Sequence, residues 1–143
     1  MKLNKALLVA GALLTAAVAV PAAAHHSFPA TYHIDQTTSI TGTVVQFLFR
    51  NPHSFVHVMA PDKQGKMQRW AVEWGGGAAL ARERITSTSV KPGDKVTIEG
   101  NPARVEADHR IRMQKITRPA DGWTWGGTWQ SLKDLQHFSE NGR

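Results

Sequence analysis

The chain has 143 residues, no cysteine and a formal net charge of +6, from 17 Lys and Arg against 11 Asp and Glu. This length accommodates one domain with a modest core, and the lack of cysteine excludes disulfides, thiolate metal sites and thiol catalysis. The basic residues are scattered rather than clustered, so no nucleic-acid partner is expected.

Residues 1–24 have the pattern of an export signal. Two lysines precede an apolar stretch over residues 6–20, and a proline and three alanines follow at a typical cleavage site. The apolar stretch is short and alanine-rich, so no transmembrane anchor is expected after cleavage. A cut after Ala24 leaves 143 − 24 = 119 residues beginning at His25, with a net charge of 15 − 11 = +4. We therefore expect an exported, periplasmic protein.

Residues 25–38 contain a proline and no sustained period, which predicts an extended lead-in that allows a short pairing near residues 32–35. Residues 39–118 form the predicted β domain. Runs of β-branched and aromatic residues between turn signals predict five strands, over residues 40–49, 55–59, 67–74, 96–98 and 111–116. A helix-forming stretch over residues 78–84 follows the third strand.

This order predicts an all-β fold with one short helix. Five strands with a helix after the third match a small Greek-key barrel of the oligonucleotide/oligosaccharide-binding (OB) shape. In the third strand, alternation predicts that Trp70, Val72 and Trp74 face inward. Residues 119–143 form a separate Trp-rich tail. The fold by itself implies no function.

Several short motifs resemble a group of small exported bacterial proteins that form a domain of unknown function. The match runs from Ala24 to about Arg118, and its most specific parts are a His-His-Ser-Phe start and an Asn-Pro-His element. The resemblance supports the compartment and the barrel but implies no activity. The matching positions are His25, His26, Ser27, Phe28, Gly42, Asn51, Pro52, His53, Trp70 and Glu73.

The new N-terminus is the main candidate for a metal site. After cleavage, His25 offers an amino nitrogen and an imidazole on one residue, a chelating pair suited to copper(II). His26 adds a donor, and His53 is the best candidate for a further imidazole, ahead of His57 and His33. The alternative is that the leading histidines form a plain terminus and that His53 is a turn residue bonded to backbone, which is the commoner role for such residues.

Glu73 has two interpretations. At the end of the third strand it can orient a metal-bound histidine through a hydrogen bond. A surface ion pair with Arg69 or Arg50 is the favoured alternative. No second acid and no Ser–His–Asp arrangement accompanies it, so hydrolysis is not expected.

Trp123, Trp125 and Trp129 also have two interpretations. Tryptophans separated by small residues can form a platform for a glycan, a lipid or a protein of the cell envelope. More often such residues fold back and close the open end of a small barrel.

The sequence thus favours a binding protein rather than an enzyme. The predicted ligand is a copper ion held by His25, His26 and His53, with Glu73 behind them. The alternatives are an envelope interaction module that uses the barrel face and the tryptophans and, more weakly, an oxidoreductase that uses the same copper.

Overall fold

A computed structural model describes residues 28–126, so the predicted signal segment, His25, His26 and Trp129 lie outside the described residues. Eight helices and strands and one 3₁₀ turn make up this part of the chain. They are α1 (Phe28–Thr31), β1 (Thr38–Leu48), β2 (Phe55–Pro61), β3 (Met67–Glu73), α2 (Gly77–Arg82), β4 (Lys95–Pro102), the 3₁₀ turn Glu106–Asp108, β5 (Arg110–Arg118) and β6 (Trp123–Gly126).

The strands form one sheet in the order β3-β2-β1-β4-β5-β6. Strand β1 is long enough to pair with β4 through its first half and with β2 through its second half, with a register shift between Val44 and Gln46. A parallel pairing of β3 with β5, in which Val72 lies opposite Ile111, joins the two ends of the five-stranded array. The closed barrel with α2 between β3 and β4 confirms the predicted fold class.

The core fills the inside of this barrel. On β2 the alternation is regular, with Val56, Val58 and Ala60 fully buried between half-buried neighbours. On β3, Val72 and Trp74 are buried and Trp70 packs against the core, so the predicted inward face is confirmed. Leu80 from α2 and Ile85 and Val90 after it cover one end. Their burial stabilises the barrel in a chain that has no disulfide.

The segment predicted as an extended lead-in begins with a helical turn instead. The Tyr32 amide donates to the Phe28 carbonyl at 2.8 Å, and Tyr32 then forms an isolated bridge with Ala103. Arg104 holds the turn, since its amide donates to the Thr31 carbonyl at 2.9 Å and its Nε to the Pro29 carbonyl at 2.6 Å. Tyr32 is buried in this arrangement, and burial of so large an aromatic side chain stabilises the helical turn that positions it.

Strand β6 extends the sheet beyond the predicted barrel. Its residues pair with β5, Trp123 opposite Arg118 and Trp125 opposite Ile116. Within residues 28–126, no helix is both long enough and apolar enough to cross a bilayer.

Candidate functional site

A cleft of about 470 Å³ opens between α1, the β1–β2 corner, the end of β3 and the start of β5. Small-molecule sites in proteins usually occupy roughly 300–1,000 Å³, so the volume suits a small ligand. Aromatic, cationic and polar side chains line it together. They are Phe28, Thr31, Tyr32, Arg50, Asn51, Pro52, His53, Phe55, Glu73 and Arg110.

The β1–β2 corner is fixed by the start of α2. The Gly77 amide donates to the Arg50 carbonyl at 2.9 Å, and the Ala78 amide donates to Asn51 Oδ1 at 3.1 Å. Asn51 therefore supplies the side-chain acceptor that the first turn of α2 needs. The peptide bond between Asn51 and Pro52 is cis. The corner that carries His53 is thus held by backbone contacts rather than left as a free loop.

Glycine at position 76 makes this contact feasible. A Cβ atom on Gly76 would lie 2.5 Å from the Pro52 carbonyl oxygen and 2.9 Å from Asn51 Oδ1. Such distances are too short for a Cβ atom, so the close approach of the corner to the start of α2 requires glycine at this position.

Glu73 is the centre of the cleft's polar network. Its carboxylate is buried and accepts a hydrogen bond from the Tyr32 hydroxyl on Oε2. Arg110 Nη2 lies 3.1 Å from the same oxygen, and His53 Nδ1 lies 3.2 Å from Oε1. Three donors from three separate segments therefore satisfy one buried acid, which offsets the cost of removing its charge from water.

Tyr32 remains protonated in this environment. Burial raises the pKa of its hydroxyl well above the ordinary value, the hydrogen bond to Glu73 raises it further, and Arg110 acts in the opposite direction. Only 1% of the Tyr32 surface is exposed. The hydroxyl therefore serves as a permanent donor to Glu73 at neutral pH.

His53 presents one ring nitrogen to Glu73 and has the other available. In the neutral ring, with Nδ1 donating to the carboxylate, Nε2 would carry the lone pair. The Phe28 ring contacts the imidazole edge-on, with centroids 5.8 Å apart, and Arg112 lies over Phe28 with its Cζ 4.0 Å from the ring centroid. The first described residue of the chain is thereby packed against His53.

The surface ion pair predicted for Glu73 with Arg69 or Arg50 is wrong. Arg69 instead donates to Gln46 at 2.8 Å, on the exposed face of the sheet. The alternation of β3 does turn Glu73 away from the core, but Tyr32 and Arg110 cover the outer face at this point, so the carboxylate is enclosed. The alternative interpretation of His53 as a backbone-bonded turn residue does not hold either, since its partner is a carboxylate.

The other described histidines lie outside the cleft. His33 Nδ1 is 3.5 Å from Arg104 Nη1, and His109 packs edge-on against Trp70. His57 stacks on Phe55, and its buried Nδ1 has no partner within residues 28–126. Burial and the neighbouring Arg69 and Arg50 lower the pKa of His57. No group of three or more His, Cys, Asp or Glu side chains gathers within the described residues.

Trp123 and Trp125 of β6 are half-buried against the core. Trp125 contacts Trp74 with ring centroids 4.9 Å apart, and its Nε1 donates to Glu83 Oε2 at 2.7 Å. The hydrogen bond to Glu83 connects β6 to the residue that follows α2.

The sequence did not identify Tyr32, Arg110, Arg50 and Phe55 as site residues. Arg110 lies just outside the fifth strand predicted over residues 111–116, although it opens β5 and reaches Glu73. The one sequence signal for Tyr32 was that it is a large aromatic residue in the lead-in, which favours burial. The approach of Arg110 depends on the β3–β5 pairing, which no local pattern specifies.

Comparison with known proteins gives a family and a shape. A family model described as a family of unknown function (DUF6152) matches residues 12–112. A second model, described as D-alanyl-D-alanine carboxypeptidase, matches residues 89–140, little more than a third of the chain. Of the residues that line the cleft, this shorter match covers only Arg110. No curated protein matches the sequence.

Two crystal structures of the mitochondrial single-stranded DNA binding protein Rim1 from S. cerevisiae are similar, each with 14% sequence identity. One has a TM-score of 0.43 over 59% of this chain and 93% of that chain. The other has a TM-score of 0.44 over 58% and 92%. A likeness this distant carries nothing about binding.

Proposed function

Because the chain belongs to this family of unknown function (DUF6152), membership brings no activity with it, and we propose a function from the cleft. We propose that the protein is exported to the periplasm and binds copper(II) through His25, His26 and His53. The observation that supports this most directly is the 3.2 Å contact between His53 Nδ1 and Glu73 Oε1.

That contact is the one that metal-binding histidines commonly make. A carboxylate that accepts from one ring nitrogen fixes the tautomer, orients the ring and makes the other nitrogen a better ligand. Glu73 is itself held by Tyr32 and Arg110, so His53 Nε2 would be presented with little freedom. Glu73 would then orient the metal-bound histidine through a hydrogen bond, which is one of the two roles considered for it from the sequence.

The covalent chain brings the proposed N-terminal donors within reach. Phe28 packs against the His53 ring, and three residues span at most about 10 Å even when fully extended. The amino group and imidazole of His25 can therefore approach His53 Nε2 without any rearrangement of the barrel. A set of nitrogen donors in which two come from one residue suits the tetragonal geometry of copper(II).

Calorimetry of untagged protein that begins at His25 tests this proposal. We expect copper(II) to bind with one-to-one stoichiometry and more tightly than zinc, because first-row affinities peak at copper. His53→Ala should weaken binding by about tenfold or more, since one nitrogen ligand is lost. One extra residue before His25 should also weaken it, because the chelating amine becomes an amide.

His33→Ala is the matched control, as it removes an imidazole that lies outside the cleft. Its copper affinity should equal that of the unsubstituted protein. Equal affinity of His53→Ala and the unsubstituted protein, with both folded by circular dichroism, would contradict the proposal.

A further inference from the structure

The cleft has a second feature, a pair of arginines beside an aromatic ring, and Arg50 of this pair has no part in the copper proposal. The Arg50 Cζ lies 5.6 Å from the centroid of Phe55, and the Arg110 Cζ lies 5.8 Å from the same centroid. Guanidinium groups over a ring are held by the ring's electron-rich face and retain their hydrogen-bond donors for other partners.

These charges are not balanced by acids. Of the residues that the structure describes, Glu73 is the one acid that lines the cleft, and it already pairs with Tyr32, Arg110 and His53. Among residues 28–126, Arg50 makes no ion pair, although it lies at the cleft's edge. Arg50 and Arg110 therefore bring two positive charges to the lining against the one negative charge of Glu73.

Arg50 is well placed to hold a ligand because its backbone is fixed. Its amide donates to Ser54 Oγ at 3.2 Å, and its carbonyl accepts from Ser54 Oγ at 3.1 Å and from the Gly77 amide at 2.9 Å. The side chain is exposed while the main chain is held, so an anion bound there would not have to order a loop.

The apolar part of the lining indicates the body of that anion. Phe28 and Phe55 are half-buried and border the same space as Arg50, where their rings supply apolar surface. Flat rings prefer offset or edge-on contact with other flat rings, and a guanidinium pairs with a carboxylate through two parallel hydrogen bonds.

We infer that the cleft binds a small aromatic carboxylate, with its carboxylate on Arg50 and its ring beside Phe28 and Phe55. The site adjoins the proposed copper ligand His53 but needs no metal. It can therefore be tested on protein from which metal has been removed, and its failure would leave the copper proposal untouched.

The experiment uses untagged protein that begins at His25, from which metal has been removed with EDTA, at constant ionic strength. Benzoate is the probe, acetate carries the charge without the ring, and benzyl alcohol carries the ring without the charge. We expect saturable benzoate binding by calorimetry, at least about tenfold tighter than either comparison compound. Arg50→Gln should weaken benzoate binding by about tenfold, and Arg50→Lys by less, because lysine retains the charge without the paired donors.

Arg82→Gln is the control, since Arg82 is an exposed residue of α2 that does not line the cleft. Its benzoate affinity should be unchanged. The inference is overturned if benzyl alcohol or acetate binds as tightly as benzoate. It is also overturned if Arg50→Gln, folded by circular dichroism, retains full affinity, or if Arg82→Gln loses as much.

Discussion

The Glu73 carboxylate connects side chains that are remote in sequence. Tyr32 is 41 positions away and Arg110 is 37 positions away, and both reach Oε2. A buried acceptor with several donors stabilises the fold modestly while paired, but its removal leaves the buried Tyr32 hydroxyl without its partner and weakens the contacts of Arg110 and His53.

Glu73→Gln should therefore lower the free energy of unfolding by about 2 kcal/mol, as measured by urea denaturation. Glu99→Gln is the comparison, because Glu99 pairs with Lys115 at 3.5 Å in a partly exposed site. Its loss should be below about 1 kcal/mol. Equal losses in the two variants would contradict the network described for Glu73.

The ionisation of Tyr32 can be followed by absorbance as pH is raised, because it is the chain's only tyrosine. Burial and Glu73 raise its pKa in the folded state, so the folded protein retains a proton that the unfolded chain loses near pH 10. Above that pH the unfolded state binds fewer protons, and stability should fall as pH rises. Below it, this contribution is fully present.

Absorbance at the tyrosinate band should consequently stay flat through pH 10 and rise only when circular dichroism reports unfolding. Tyr32→Phe should show a shallower loss of stability over the same alkaline range. A tyrosinate signal near pH 10 in a protein that is still folded would show that the hydroxyl is not enclosed as described.

Among the elements, the contact between the β1–β2 corner and α2 decides where His53 lies. The backbone carbonyl of Arg50 and the side-chain oxygen of Asn51 accept hydrogen bonds from the first amides of α2. The contact depends on the missing side chain at Gly76.

Gly76→Ala should lower the free energy of unfolding by about 1–3 kcal/mol, because its Cβ would meet the Pro52 carbonyl oxygen and force the corner away from α2. Copper affinity should fall with it, as His53 moves with the corner. Gly75→Ala is the matched control, since its Cβ would lie 3.4 Å from Leu80 Cδ2, an ordinary contact. A tolerated Gly76→Ala would contradict the proposed role of this approach.

Elements were well predicted where local signals are strong. Alternation identified the inward face of β3, and turn residues separated five strands and a helix in the right order. The ends were less accurate, because pairing extends strands beyond their β-branched runs. Strand β4, predicted over residues 96–98, runs over Lys95–Pro102 because β1 and β5 both supply partners.

At the scale of the whole molecule, the barrel closes through the short parallel contact between β3 and β5. The order of elements was enough to predict that closure as a fold class, but it could not say which side chains would meet. Tyr32 precedes Glu73 in the sequence and Arg110 follows it, and only the closed structure brings the three together.

A ligand that binds only this closed state must stabilise the whole molecule. If copper binds as proposed, a concentration one hundred times the dissociation constant should raise the free energy of unfolding by about 2.7 kcal/mol. Thermal unfolding followed by circular dichroism measures this as a higher Tm. His53→Ala should show a smaller shift at the same copper concentration, and an equal shift in both proteins would place the metal elsewhere.

The three partners of Glu73 also limit how the cleft can be simplified. A synthetic peptide that copies the chain from Asn51 to Glu73 would carry the imidazole and the carboxylate but neither the phenol nor the guanidinium of Arg110. Transplanting that hairpin into another scaffold should therefore fail to reproduce the arrangement, and minimised versions of this protein would have to retain the stretch from Phe28 to β5.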